Sequence, residues 1–468
     1  MRRAVSAATQ RATLLAALAL IAGCSTTSAP PPPSPLPTPP PIATTAEPAA
    51  PKSESALASK ESKQVARALA RVSALRGVNA QRPVPGVKLE RSELVGRIKE
   101  KALREYPPEA LKREGELLQL LGFAPASFVY LDELLKLLDA QLEGFYEPKN
   151  GTMYLANDLK GKEAQATLAH ELVHALQDQS WDLKSRSTYK PGEGDKTLAL
   201  ACLAEGDATS LMIDYAMADE GGVSMTALDP PESSLREMMA AGMKGESIKN
   251  VPHILKASLM APYVDGLFFV NAARRKGGWA AVNRVWENPP TTTEQVLHFD
   301  KWEKHEPPLT VSPPTANALG SGWKKDDEDS FGELEFALMY EEWTESHLAR
   351  LAASGWGGDR SAIYVKGDEM AFAVHERYDA DRPRPDGFSE RAFTKVTPGM
   401  KKTLGKPALE TPTAICFERS DLGPLLLARR DRELVIAAGP AKRGAGGWTS
   451  TATCAQTKKW ADEVLANP

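Results

Sequence analysis

The chain has 468 residues, 42% hydrophobic, 25% charged and 7% aromatic, a composition too apolar for disorder and too polar for a multispanning membrane protein. Its 57 Lys and Arg against 61 Asp and Glu give a net charge of −4, without the basic excess that phosphate binding needs, so nucleic acid is not an expected partner. Only 7 His and 4 Cys are present, which makes every His position informative about a metal site.

The N-terminus runs from Arg2 and Arg3 through Leu14, Leu15, Leu18 and Leu20 to Ile21-Ala22-Gly23-Cys24. A basic start, a short apolar stretch and small residues before a Cys describe an export signal and resemble the lipobox of bacterial lipoproteins. Residues 1–23 are therefore expected to be a signal peptide, with Cys24 lipidated as the first residue of the mature chain. Ser25, rather than Asp, follows it, which by the same resemblance implies the outer membrane within the cell envelope. Cleavage removes three basic residues and no acidic one, so the acyl chains rather than surface charge would provide the membrane anchor. Residues 24–53 form a Pro-rich tether: nine of the twelve residues from 30 to 41 are Pro, favouring an extended spacer over a packed core. A Pro-rich ligand for another protein is the alternative for this stretch.

From about 55 to 142 the apolar spacing is helical, with Val65, Leu69 and Val72, then Leu94 and Ile98, then Leu117, Leu118 and Leu121, then Leu131, Leu134, Leu135 and Leu138. A hairpin follows: Gly144 to Tyr146 and Thr152 to Leu155 flank Glu147-Pro148-Lys149-Asn150-Gly151, which has turn chemistry. Met153 to Leu155 is expected to be an edge strand able to pair with an extended substrate. Helices are predicted over 162–178, 195–219, 232–243, 262–276, 278–286 and 329–354. Strands are predicted over 362–366, 370–378, 413–418, 424–429 and 433–438, and a last helix over 455–466. The pattern divides into a mostly helical unit, residues 54–312, and an α+β unit, residues 313–468.

Within the helix predicted at 162–178 stands His170-Glu171-Leu172-Val173-His174. Residues four apart share a helix face, so both imidazoles can meet one zinc ion while Glu171 turns toward an open coordination position. At this His content a chance H-E-x-x-H is expected on the order of 0.01 times in the chain, so the match carries weight. A catalytic zinc needs a third protein ligand. No His lies six residues after His174, and Glu205, among the small residues of Leu200 to Ala208, is the better candidate; Cys202 and Asp207 are weaker ones. Small neighbours would let two helix backbones approach closely enough for that carboxylate to reach the metal. Asp178, four residues after His174, could orient a ligand imidazole. Zinc-activated water with Glu171 as general base points to peptide-bond hydrolysis, with Tyr263 and His298 as candidate oxyanion donors.

These residues resemble the gluzincin, or thermolysin-like, metallopeptidases, in which H-E-x-x-H is completed by a downstream Glu. More narrowly, Gly144 to Pro148, His170 to Asp178, Ala204 to Ala208, Thr292 to His298 and Gly355 to Arg360 look similar to a set of bacterial secreted and lipid-anchored proteins. The resemblance spans about 140–375. It implies a mostly α gluzincin-like domain bearing a short β-hairpin, followed by an α+β C-terminal domain, with Zn2+ as cofactor and a peptide or protein as substrate. The pattern departs from thermolysin in the longer His174-to-Glu205 spacing and in Thr209, where an Asp would follow Glu205 by four residues. A noncatalytic envelope lipoprotein using such a domain for binding or assembly is the rival reading. In an exported chain Cys416 and Cys454 can pair as a disulfide or stand as free thiols.

Overall fold

The computed structural model describes residues 59–158, 161–188, 190–218, 224–227, 236–237, 248–380 and 387–467. The signal peptide, Cys24, the tether and nearly all of the helix expected at 232–243 lie outside them.

Chain order begins with α1 (Lys60–Arg76), whose Val65, Leu69 and Val72 stripe is buried and whose end is set by Gly77 at φ 70°. β1 (Gly86–Leu89), α2 (Arg91–Glu105), α3 (Pro108–Leu121) and α4 (Tyr130–Gln141) lead to the hairpin β2 (Gly144–Glu147) and β3 (Thr152–Ala156). Next come α5 (Gly161–Trp181), the short α6 (Leu183–Arg186), α7 (Gly194–Ala218) and the long α8 (His253–Glu287). α8 bends at Gly277 and Gly278, where the sequence suggests a break between two helices, and it takes Pro262 into its interior. After α9 (Thr293–Leu297) and α10 (Phe299–Glu303), the helix expected over 329–354 resolves into β4 (Lys324–Asp329), α11 (Gly332–Glu341) and α12 (Ser346–Ala353). The positive φ of Gly332 and the turn at 342–345 interrupt what the apolar spacing alone joins. β5 (Trp356–Lys366), β6 (Glu369–Tyr378), α13 (Gly387–Leu404), β7 (Leu409–Thr411), β8 (Ala414–Phe417), β9 (Leu425–Arg430), β10 (Glu433–Gly444), β11 (Gly447–Ser450) and α14 (Cys454–Leu465) complete the chain.

Two sheets result. The small one has the order β1-β3-β2, with β1 parallel and β2 antiparallel to β3. β3 is thus the central strand, and Met153 to Leu155 is not the edge the sequence suggests: β1, a four-residue strand inside a run of helical spacing, covers that side. The large sheet is antiparallel, ordered β4-β5-β6-β10-β9-β8-β7, with β11 paired to the end of β10. Its one face joins Phe372, Val374, Leu427, Leu434 and Ile436 to the helical region in a single core; α14 covers the other through Trp460, Ala461 and Val464. Cys416 on β8 and Cys454 at the start of α14 form a disulfide between that helix and the sheet. No described helix is long and apolar enough to cross a membrane.

The main core runs unbroken from Leu94 and Ile98 to Trp448, so residue 313 does not separate two cores. Polar contacts reinforce the junction at the start of α7. Asp195 accepts hydrogen bonds from the backbone N–H and hydroxyl of Thr293 (2.8 and 2.6 Å), and its own N–H donates to the Ser330 carbonyl. Asp359 accepts from the N–H groups of Phe331 and Gly332, both at 2.9 Å, and from the Trp356 indole. Gly332 lies so close to Asp195 that a Cβ there would fall 1.7 Å from its Oδ1. The Thr292–His298 and Gly355–Arg360 segments therefore fasten the base of α7 to the large sheet.

Beside this junction the ammonium of Lys301 reaches Glu294, Glu306 and Asp379 at 2.6–2.7 Å, so a protein cation already occupies this group of carboxylates. Burial raises the Glu294 carboxyl to about 8, against the opposing pull of Lys301. A carboxyl whose folded-state pKa is raised stabilises the fold fully below its unfolded value and loses that contribution as pH climbs toward about 8. Urea unfolding at pH 5 and pH 8 should show stability falling by roughly 2 kcal/mol through this group, less than the full linkage because its neighbours share the titration. Glu294→Gln should flatten that slope; parallel slopes for variant and parent would refute the assignment.

Candidate metal centre

α5 is buried along most of its length, with Leu168, Leu172, Val173 and Leu176 packed against α1 and the small sheet. Its remaining face presents His170 and His174, one turn apart, to α7. Across from them Glu205 is fully buried on α7. The Nε2 atom of His170 lies 3.0 Å from Glu205 Oε2 and 3.3 Å from His174 Nε2, and His174 Nε2 lies 3.6 Å from the same oxygen. These three atoms form a nearly equilateral triangle. Ligands about 2.0–2.1 Å from a tetrahedral metal stand roughly 3.3 Å from one another, so the triangle has the size of one face of such a coordination shell. The second Glu205 oxygen, Oε1, is buried without a hydrogen-bond partner. The cluster can hold a metal ion.

Glu171 is buried beside the cluster but does not join it. Its Oε2 accepts the backbone N–H of Tyr146 at 3.0 Å. Ala156 donates to the Glu143 carbonyl across the hairpin, which fixes the alternation of the β2–β3 ladder and turns the N–H and C=O groups of Gly144 and Tyr146 away from β3. The edge strand facing the centre is therefore β2, not β3. Burial holds the Glu171 carboxyl above its ordinary range despite the two imidazoles. Burial opposes ionisation of Glu205 too, but His174 and His170 outweigh it and bring that carboxyl below the usual value. Burial alone would lower His174, yet Glu205 and Glu171 raise it, so a metal bound there would take the place of its Nε2 proton.

Orientation of His174 comes from Gln177, not from Asp178. Gln177 donates its amide to the Ala204 carbonyl (3.0 Å) and to Asp207 Oδ2 (3.3 Å), which directs its Oε1 to His174 Nδ1 at 2.9 Å. An acceptor there places the ring proton on Nδ1 and leaves the Nε2 lone pair for a metal. Asp207 in turn accepts from Arg76 Nε (2.7 Å), Arg76 Nη2 (3.1 Å) and the Trp286 indole (2.8 Å). Arg76 is 1% exposed, with its guanidinium near the rings of Trp279 and Trp181. Asp178 instead accepts from the Tyr146 hydroxyl (2.9 Å) and Arg82 (2.7 Å), because the end of α5 carries it toward the hairpin. Thr209 makes no hydrogen bond through its hydroxyl.

Tyr263 belongs to the centre: its ring stacks on His170, with centroids 5.8 Å apart and planes inclined by 22°. His298 does not; its Nε2 pairs with Glu333 at 2.9 Å, near the base of α7. Cys202 is buried core on α7, one turn before Glu205. Gln177 and Arg76 carry no motif, although the three-residue step from His174 to Gln177 on one helix is a signal that sequence can supply.

Small residues of α7 do permit a close approach, but toward α8. A Cβ on Gly266 would sit 1.9 Å from the Cys202 carbonyl oxygen, and one on Gly206 would sit 2.1 Å from Gly266 backbone atoms. This contact sets the height of the turn that bears Glu205. Gly266→Ala should cost about 2–3 kcal/mol in chemical denaturation and weaken metal binding, since α7 must shift to admit the methyl group. An unchanged midpoint and affinity would contradict that account.

No protein-family model, curated protein or solved structure matches the chain.

Proposed function

We propose that this protein is a lipid-anchored, zinc-dependent peptidase of the gluzincin type, working in the bacterial cell envelope at the outer membrane. The observation that carries the reading is the pairing of a three-ligand triangle, His170, His174 and Glu205, with a buried carboxylate, Glu171, held next to it by a backbone N–H rather than used as a ligand. Two imidazoles and a carboxylate suit zinc, and a structural zinc would need a fourth protein ligand rather than a neighbouring base. Zinc in such a set supplies Lewis acidity to a water molecule and to a scissile carbonyl.

The chain's own residues do the rest. Glu171 takes a proton from water and delivers it to the departing amine; its raised pKa suits a group that must hold that proton in passing. The Tyr146 N–H fixes the direction of the Glu171 carboxylate, Gln177 fixes the tautomer of His174, and Tyr263 fixes the plane of His170. An extended peptide laid beside the outward edge of β2 would run past Glu171, pairing with backbone groups other than the Tyr146 N–H, which Glu171 holds, without recognition of every side chain.

Burial of all four groups, each 3% exposed or less, favours the second reading, a metal-loaded binding or assembly module without turnover. Zinc content and cleavage of an unfolded protein, measured on the full chain and on Glu171→Gln, separate the two. Anchoring rests on Cys24 and has its own test: Cys24→Ser should abolish fatty-acid labelling and release the protein from the membrane fraction. Retention of the label would place the anchor elsewhere.

A further inference from the structure

β2 leads from the metal centre into a cleft of about 470 Å³ between the end of α2, the β2–β3 turn and α6. Glu147, one residue beyond the Tyr146 N–H that holds Glu171, lines it, so the cleft begins next to the strand edge facing that carboxylate. Four cationic side chains line it: Lys101, Arg104, Lys149 and Lys184. Two carboxylates, Glu105 and Glu147, also line it, and Arg104 reaches both at 3.6 Å.

Lys101 is the unusual member. It is only 7% exposed, yet its ammonium makes no hydrogen bond or ion pair among the described residues. Glu105, one turn on along α2, is its electrostatic neighbour but is itself exposed to solvent and within ion-pair distance of Arg104 rather than of Lys101. Lys149 and Lys184 likewise have no ion-pair partner among the described residues. Both also line the adjoining cleft, with Arg82 and Arg186. The Lys101 stem is buried while its ammonium opens onto the cleft, where an anion can meet it.

We infer that this cleft is a subsite for an acidic side chain of the peptide substrate, with Lys101 at its base and Lys149 and Lys184 at its rim. The inference rests on the peptidase reading. Charge-assisted hydrogen bonds are the strong ones and Lys101 is the least exposed of the three lysines, so Lys101 should dominate and the exposed rim lysines should add a salt-sensitive share.

The test uses the full chain carrying Glu171→Gln, purified in neutral detergent with its metal. It is titrated with blocked hexapeptides in which a single Glu is moved through a Gln background. One Glu register should bind about tenfold more tightly than the all-Gln peptide. Lys101→Met should remove that advantage and Lys101→Arg should keep most of it. The exposed pair Lys149→Gln and Lys184→Gln, which leaves the buried Lys101 site intact, should reduce the advantage and its salt dependence. Equal affinity for every register, binding of no peptide, or a Glu preference that survives Lys101→Met would each overturn the inference. If the parent chain cleaves peptides without regard to Glu, the peptidase reading stands and the subsite falls. If the parent cleaves nothing while the Glu register still binds through Lys101, the peptidase reading falls and the anionic subsite stands.

Discussion

Glu171→Gln is expected to retain its zinc and fold with unchanged stability, while losing cleavage of an unfolded protein by about 10²–10⁴-fold, the contribution of a well-placed general base. The substitution is nearly isosteric. Its side-chain oxygen can still accept the Tyr146 N–H that Glu171 accepts at 3.0 Å, so the local geometry should persist. What it removes is a site for a proton. Because Glu171 lies outside the ligand triangle, metal affinity should change little. Loss of metal together with activity would make Glu171 a ligand or a structural support, and full activity in the variant would remove it from the chemistry.

Asp207→Ala should have the largest effect on stability, about 3–5 kcal/mol, because it strips the counter-charge from Arg76, which is 1% exposed and has no route to water. Against a total of roughly 5–15 kcal/mol for a native protein, that is enough to bring the chain near unfolding at 37 °C. The same change frees Gln177, which Asp207 and the Ala204 carbonyl hold in place, and so loosens the orientation of His174. Loss of such outer support lowers metal affinity by about 10–100-fold. The two consequences separate in a double variant. Arg76→Met with Asp207→Leu should recover most of the stability in urea unfolding, since it removes both buried charges, but not the metal affinity. Recovery of both would mean that the ion pair acts on the centre only through global stability.

The cluster of His170, His174 and Glu205 was readable because its pattern is local. His170 and His174 share a helix face by spacing alone, and Glu205 stands out as a carboxylate among Ala, Leu and Gly, a placement that needs a partner. The limits of α5, α7 and α14 followed for the same reason and agree with their apolar periodicity within a few residues, whereas α8 begins at His253, nine residues before the predicted 262. Long-range pairings left weaker traces. β1 lies in a stretch of helical spacing and is a strand because β3 pairs with it, so its existence and the demotion of β3 from the edge come from one tertiary contact. α13 has no counterpart among the predicted elements, and it takes Pro398 into its interior. The break between β4 and α11 depends on Gly332 seated against Asp195, which no local pattern announces.

The residue that orients His174 differs from the one its helical spacing suggests. Asp178 has the right spacing from His174, but the hairpin offers it Tyr146 and Arg82, while Gln177, one residue earlier, faces α7. The carboxylate at the end of that relay, Asp207, lies two residues from Glu205, on a side of α7 where Arg76 and Trp286 come from distant parts of the chain. Helical spacing finds residues on one face; it does not say which neighbouring element that face will meet.

Zinc stoichiometry by elemental analysis of the full chain, beside His174→Ala and Glu205→Ala, tests the ligand assignment most directly. The account predicts one equivalent of zinc in the parent and a large loss in each variant, with folding retained by circular dichroism. A parent that purifies and reconstitutes without zinc, or a Glu205→Ala chain that binds it as tightly as the parent, would contradict the assignment of these three residues as a metal centre.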